Sequence, residues 1–253
     1  MTLNLKIILL AFALVMLASC NKRLAPQQGL VGEYLFKGSA KDNSSYRNHG
    51  HVEGAVLTKG HGRKSSRSAY QFNGVDQFIA IPHAAQTNFP KGQDFSISLW
   101  IKIDPGQKAE GTNLNDIIRK WRGDTQGYPF AIVYYNEGAS EDLRNRFSFV
   151  RYDGSVCRNG PQAFSEPTGS GKGFTHLVFV KQGEMMRIYR NNILESEMKD
   201  TTLTESQCGS HNDADITIGA RANKVRFLKG VVDDVRFYNR ALTKEEIGLL
   251  FRI

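Results

Sequence analysis

Apolar residues recur at every second position through most of this chain, and that period restricts the fold more than any other feature. In DFSISLWIKI (94–103), Phe95, Ile97, Leu99 and Ile101 fall on one side, opposed by Ser96, Ser98, Trp100 and Lys102. Successive side chains of a strand point to opposite faces of its sheet, so a period of two predicts strands with one buried face. LVGEYLF, SAYQFNG, DQFIAIP, NDIIRKW, YPFAIVYY, RFSFVRYD, FTHLVFVKQ, MRIYRNN, ADITIGA and KGVVDDVRFYN read the same way. They are rich in Phe, Tyr, Ile and Val, with Gly, Asn and Asp between them. QFNGVDQF and QGEM carry the residues of tight hairpins. The one helical signal is terminal: Thr243 and Glu246 have capping-box spacing, and Ile247, Leu250 and Phe251 form an apolar stripe. Many short strands with one short C-terminal helix predict an all-β, two-sheet antiparallel jelly-roll sandwich. No linker, charge block or repeat interrupts residues 29–253, which read as one domain.

The N-terminus reads separately. Lys6 precedes an uncharged run from Ile7 to Ser19, too short for a comfortable membrane span and laid out as a secretory signal. It ends in Leu17-Ala18-Ser19-Cys20, which resembles a bacterial lipobox. Residues 1–19 are therefore expected to be a lipoprotein signal peptide, Cys20 the lipidated residue, and 20–28 a polar tether. That places the chain at a bacterial cell envelope, membrane-anchored and extracytoplasmic, facing the periplasm or the cell surface. In such a compartment the remaining cysteines, Cys157 and Cys208, are expected to form a disulfide. Loss of Lys6 lowers the formal charge from +8 to +7. The densest basic stretch, KGHGRKSSR (59–67), is broken by Gly and Ser and reads as a solvated loop. It lacks the interleaved aromatics of a nucleic-acid groove.

One stretch conflicts with simple alternation. In GVVDDVRFYN (230–239), a strict period of two puts Asp233 in a row with Val231, Val235 and Phe237. The other face would carry Val232, Asp234, Arg236 and Tyr238, where Asp234 can pair with Arg236. A buried carboxylate in an apolar row must be paired, hydrogen-bonded or bound to a metal.

Five segments, in order, resemble the bacterial laminin-G-like jelly rolls of the concanavalin A-like lectin/glucanase superfamily. They are residues 29–55, AYQFNGVDQFIAIP (69–82), FSISLWIKI (95–103), FTHLVFVKQGEMMRIYRNNIL (174–194) and residues 216–247, which include DDVRFYNRALTKEEI. The resemblance implies a module that binds carbohydrate or protein, and in many relatives a calcium ion between the N-terminal loop and the last strand. Asp42 and Asn48 of the loop GSAKDNSSYRNHG and Asp233 are then the expected ligands of a structural calcium, since the ion prefers hard oxygen donors. The alternatives are that Asp233 accepts backbone amides or pairs with an arginine, and that Asp42 makes an Asx-turn.

The same superfamily includes glycoside hydrolases built on an E-x-D-x-x-E run. No Glu here has an Asp two residues on, and Glu195 and Glu197 of LESEMK read as a solvated edge or hairpin. His49 and His51 lack zinc-site spacing and read as turn residues, and no nucleophile elbow or P-loop is present. No enzyme is expected. The aromatic-rich stretch Trp121–Asp153 supplies the expected ligand face. Trp121, Tyr128, Tyr135 and Tyr152 would stack on sugar rings, and Arg122, Asp124, Asn136 and Arg151 would make polar contacts. Tyr134 and Tyr135 must point to opposite faces. The reading is a lipid-anchored extracytoplasmic binding module with a glycan as its first ligand class. A protein-adhesion module and a divergent glycan hydrolase are the alternatives.

Overall fold

The computed structural model describes residues 25–62, 68–90, 92–106, 112–123, 127–154, 160–201 and 212–253. Its strands, in chain order, begin with β1 (Leu30–Tyr34), β2 (His51–Glu53), β3 (Val56–Lys59), β4 (Ser68–Asn73) and β5 (Phe78–Ile81). There follow β6 (Phe95–Ile103), β7 (Leu114–Lys120), β8 (Tyr128–Tyr135), β9 (Arg146–Tyr152) and β10 (Gln162–Phe164). The last are β11 (Thr175–Gln182), β12 (Met185–Arg190), β13 (Ile193–Lys199), β14 (Ile216–Ile218) and β15 (Lys229–Tyr238), before helix α1 (Lys244–Phe251).

The strands form two antiparallel sheets, as the alternation predicts. One has the order β13-β12-β11-β6-β15-β4-β3, with β1 paired to the second half of β15; the other runs β10-β9-β8-β7-β14-β5-β2. Phe95, Ile97, Leu99 and Ile101 of β6 enter the shared core with Ile117, Ile132, Phe149, Phe179 and Ile218. The two-residue QGEM turn joins β11 to β12, with Gln182 opposite Met185. QFNGVDQF does not make a hairpin. β4 pairs with β3 and β15, whereas β5 pairs with β14 and β2, so this turn carries the chain from one sheet to the other. Three short strands escape the sequence pattern: β2 and β3 are mostly exposed edge strands and β10 has only three residues, whereas LESEMK lies in β13, a mostly exposed edge strand as expected.

Asp233 does not occupy an apolar row. Between Asp233 and Arg236 the register of β15 against β6 slips by one residue, and Asp234 takes a left-handed φ of 48°. The extra residue of a β-bulge reverses the faces on either side of it. Val232, Val235 and Phe237 enter the core, while Asp233 lies opposite Trp100 on the outer face. There its Oδ2 accepts the backbone N–H of His61 at 2.9 Å and lies 2.7 Å from His61 Nδ1; its Oδ1 accepts the N–H of Asp234 at 2.8 Å. A carboxylate has no proton to give, so the ring presents N–H to it. His61 stacks on Trp100 with centroids 4.3 Å apart. Gly60 is small because a Cβ there would lie 2.4 Å from Asp233 Oδ2. Asp234 pairs with Arg236 at 3.6 Å, as expected.

Helix α1 closes this outer face. The capping box is formed: Thr243 accepts from Glu246 N, and the Glu246 side chain accepts from Thr243 N. Ile247 and Leu250 pack on Val178, Val180 and Tyr238, and Phe251 lies on Trp100 with centroids 5.7 Å apart. His176, beneath the same cover, bonds Ser98 Oγ through Nε2 at 3.0 Å. Ala25 joins this cluster and Gln28 O accepts from Arg240, so residues of the expected tether also pack on the sandwich. The helix leaves the outer face of the second sheet open. Among the described residues no helix is long and apolar enough to cross a membrane.

Candidate functional site

The open face carries a groove of about 400 Å³ across β7, β8, β9 and β10. Alternation along β8 sends Phe130, Ile132 and Tyr134 into the core and leaves Ala131, Val133 and Tyr135 outward. With Val150 of β9, Ala131 and Val133 form a small apolar floor, flanked by Tyr128 and Tyr135. The rings are held by neighbours. Tyr128 lies against Tyr152 at 5.3 Å between centroids, Tyr135 against Phe164 at 5.6 Å, and Gln162 Nε2 donates to Tyr135 Oη at 2.8 Å. All three tyrosines are half-buried and line the groove.

The other wall is cationic. A second bulge, between Asp116 and Ile118 of β7, lets Ile117 and Ile118 both enter the core and puts Asp116 and Arg119 on the same outer side. Without it, residues three apart would face opposite ways. Arg119 Nε lies 2.9 Å from Asp116 Oδ2, and its guanidinium sits 5.2 Å from the Tyr128 ring centroid. Arg226 approaches Asp116 Oδ1 at 4.0 Å, and Arg221 lies 3.8 Å over the face of Trp121. Both of the latter come from the turn after β14 and line the groove. Burial pushes the Asp116 carboxyl up, against the pull of Arg119, Arg226 and Arg221. Burial likewise raises the Tyr128 phenol.

The expected residues divide. Tyr128, Tyr135 and Tyr152 meet in the groove, and Trp121 lies at its margin beneath Arg221. Arg122 does not line it; it is exposed and ion-paired with Asp213. Asn136 is buried and donates to Asn115 Oδ1 at 2.8 Å. Arg151 faces the sandwich interior, fully buried 3.2 Å from Asp200 Oδ2. Asp124, Cys20, Cys157 and Cys208 lie outside the described residues.

Asp42 and Asp233 are not brought to one donor set. Asp42 Oδ1 accepts the N–H groups of Glu33 and Ser44, both at 2.8 Å; its Oδ2 accepts Ser44 Oγ and Asn48 N, both at 2.9 Å. Four accepted bonds use the lone pairs that a cation would need. Asn48 turns its amide nitrogen to Pro82 O, and Asp233 is engaged as above. Among the described residues no three His, Cys, Asp or Glu side chains are grouped to hold a metal. These residues do not fit the shared calcium that the resemblance implied. The Asx-type turn explains Asp42 instead.

Arg119, Arg221, Arg226 and Asp116 were not singled out by the sequence. Nothing local marks them, since they converge only through a bulge and a distant turn.

The sequence model of the Laminin_G_3 family, concanavalin A-like lectin/glucanases superfamily, matches residues 73–248, more than half of the chain. The chain belongs to this family. Comparison of this laminin-G-like domain with curated protein sequences returned no match. Among solved structures it is similar to the receptor binding domain of botulinum neurotoxin D, with 14% identity and a TM-score of 0.67. It is also similar to the binding domain of Paraclostridial Mosquitocidal Protein 1, with 17% identity and a TM-score of 0.66. A third is the binding domain of botulinum neurotoxin DC in complex with rat synaptotagmin II, with 14% identity and a TM-score of 0.59. Each match covers 88% of this chain and 52%, 52% and 51% of the other, so the domain spans about half of those structures. At such identities the likeness concerns the fold.

Proposed function

We propose that this laminin-G-like domain is a binding module whose ligand is a carbohydrate, seated in the groove on the open sheet and held at the cell envelope through Cys20. One observation carries the reading. Tyr128, Tyr152 and Tyr135 present half-buried rings around a small apolar floor, with guanidinium and amide groups fixed at its edge. Aromatic planes suit the C–H faces of a pyranose, and the polar edge suits its hydroxyls. The similar toxin structures are a receptor binding domain and a binding domain, which supports a binding role without naming a ligand for this chain.

The test is a polysaccharide-binding screen with the purified full-length chain in detergent, comparing Tyr128→Ala and Tyr152→Ala. Each substitution is expected to weaken Kd by about tenfold, or 1.4 kcal/mol, while thermal unfolding stays cooperative. Binding indifferent to both substitutions removes the groove from consideration. Silence across the screen transfers the reading to a protein ligand.

A further inference from the structure

The N-terminal tether and the groove belong to opposite sides of the sandwich. Ala25 packs with Val178, Val180, Ile247 and Leu250, on the outer face of the sheet that α1 covers. The residues after it are fastened there. Gln27 Nε2 donates to Ala25 O at 3.0 Å, Gln28 O accepts from Arg240 Nε at 2.9 Å, and Gly29 O accepts from Asn239 N at 2.9 Å. The chain therefore enters the domain at a fixed point on the α1 side. Four residues, 21–24, separate Ala25 from Cys20. Five residue steps of at most about 3.6 Å keep the Cα of Cys20 within roughly 18 Å of the Ala25 Cα.

That reach is short against the thickness of the domain. Packed sheets stand about 10 Å apart, and a side-chain layer outside each adds about 5 Å, so the groove lies roughly 20 Å from the Ala25 cluster. The straight line between them runs through the shared core, and any path round a sheet edge is longer. Even fully extended, residues 21–24 cannot carry Cys20 round to the groove side while Ala25 keeps its seat.

Building on the reading that Cys20 bears the lipid, we infer that the α1 side of the domain faces the lipid headgroups and that the groove opens away from the bilayer. A ligand then reaches the groove from the aqueous side. The exposed charges of α1 and its end, Lys244, Glu245 and Arg252, are mixed in sign, so chain length rather than charge sets the orientation. An orientation of that origin needs no anionic lipid and survives salt, whereas one set by surface charge is screened.

The chain's two tryptophans report the orientation, since Trp100 lies against Phe251 on the α1 side and Trp121 at the margin of the groove. The full-length chain, lipidated in a bacterial host, is added to preformed phosphatidylcholine vesicles that contain a dansyl-labelled lipid. Energy transfer to the dansyl group is measured for Trp121→Phe, which keeps Trp100, and for Trp100→Phe, which keeps Trp121. Transfer from Trp100 is expected to be at least twofold that from Trp121 and unchanged at high salt. A twenty-residue Gly-Ser insertion between Arg23 and Leu24 is expected to remove the difference. Equal transfer, or more from Trp121, overturns the inference and leaves the anchor and the carbohydrate reading standing. A difference that salt abolishes, or that survives the insertion, overturns it in favour of a surface contact. A chain whose mass shows no lipid at Cys20 and that does not float with the vesicles overturns the anchor and the inference together. Should Trp100→Phe not unfold cooperatively, amide exchange of the vesicle-bound parent is compared with that of soluble Cys20→Ser. Slower exchange on vesicles in residues 244–251 but not in 128–135 is expected, and equal or opposite changes refute the inference.

Discussion

Asp233 holds the loop at Gly60–His61 against the sheet, and truncating it should be costly. The side chain is buried at 2% exposure, and its carboxylate accepts His61 N, His61 Nδ1 and Asp234 N. Asp233→Ala removes both acceptor oxygens, breaking three contacts, and takes away the Nδ1 partner of a His61 ring that is stacked on Trp100. Breaking such a buried pair costs about 3–5 kcal/mol. For a chain of this size that corresponds to roughly 6–20 °C in Tm, at about 2–4 °C per kcal/mol. Asp233→Asn is milder. Its carbonyl can still accept Asp234 N, but its amide nitrogen meets the His61 backbone N–H donor to donor, a loss of about 1–3 kcal/mol. Urea unfolding of the parent and both variants reads the order directly, provided the slope with denaturant is constant. An alanine variant within about 1 kcal/mol of the parent, below the range for a broken buried pair, would refute the argument. EDTA is expected to leave the parent's midpoint unchanged, because the Asp42 oxygens already face N–H and O–H donors. A fall in EDTA that calcium reverses and Asp42→Asn abolishes would show that the turn had been misread.

Two further outcomes test the packing. His176 is held neutral down to about 3 by burial, with Arg236 and His61 adding to the effect. The unfolded chain takes up this proton near pH 6.5, so stability should fall as pH drops from about 6.5 towards 3. Urea midpoints should decline less steeply over that window in His176→Gln, and parallel slopes would contradict the assignment. Gly219 has φ +89° and a Cβ there would lie 2.5 Å from the buried Phe72 ring. Gly219→Ala should cost roughly 2–5 kcal/mol from left-handed strain plus overpacking, and a thermal shift of under 2 °C would show that the site relaxes.

Much of the sandwich was legible because its determinants are local. The alternation in β6, the opposed Tyr134 and Tyr135 and the Thr243 capping box can all be read within a few residues. Three of the groove's tyrosines were legible for the same reason: aromatic residues on a strand face point either to the core or to a ligand. The allocation of β4 and β5 to different sheets was not, since an Asn-Gly turn looks alike whether the next strand returns or crosses over. The edge strands β2 and β3 were missed because mostly exposed faces lack the apolar alternation that identifies strands.

The sequence by itself determined the period, the strand-forming segments, the helix cap and the aromatic content of the open face. Only the tertiary structure decided which face Asp233 and Asp116 occupy. It also decided that Arg119, Arg221 and Arg226 share a groove with Tyr128 and Tyr152. The physical reason lies in two inserted residues. A bulge reverses the side-chain alternation beyond it, yet its position depends on pairing with another strand rather than on the residues around it. Charge convergence depends on the same pairing, because β14 lies beside β7 and brings a turn about a hundred residues distant over Asp116.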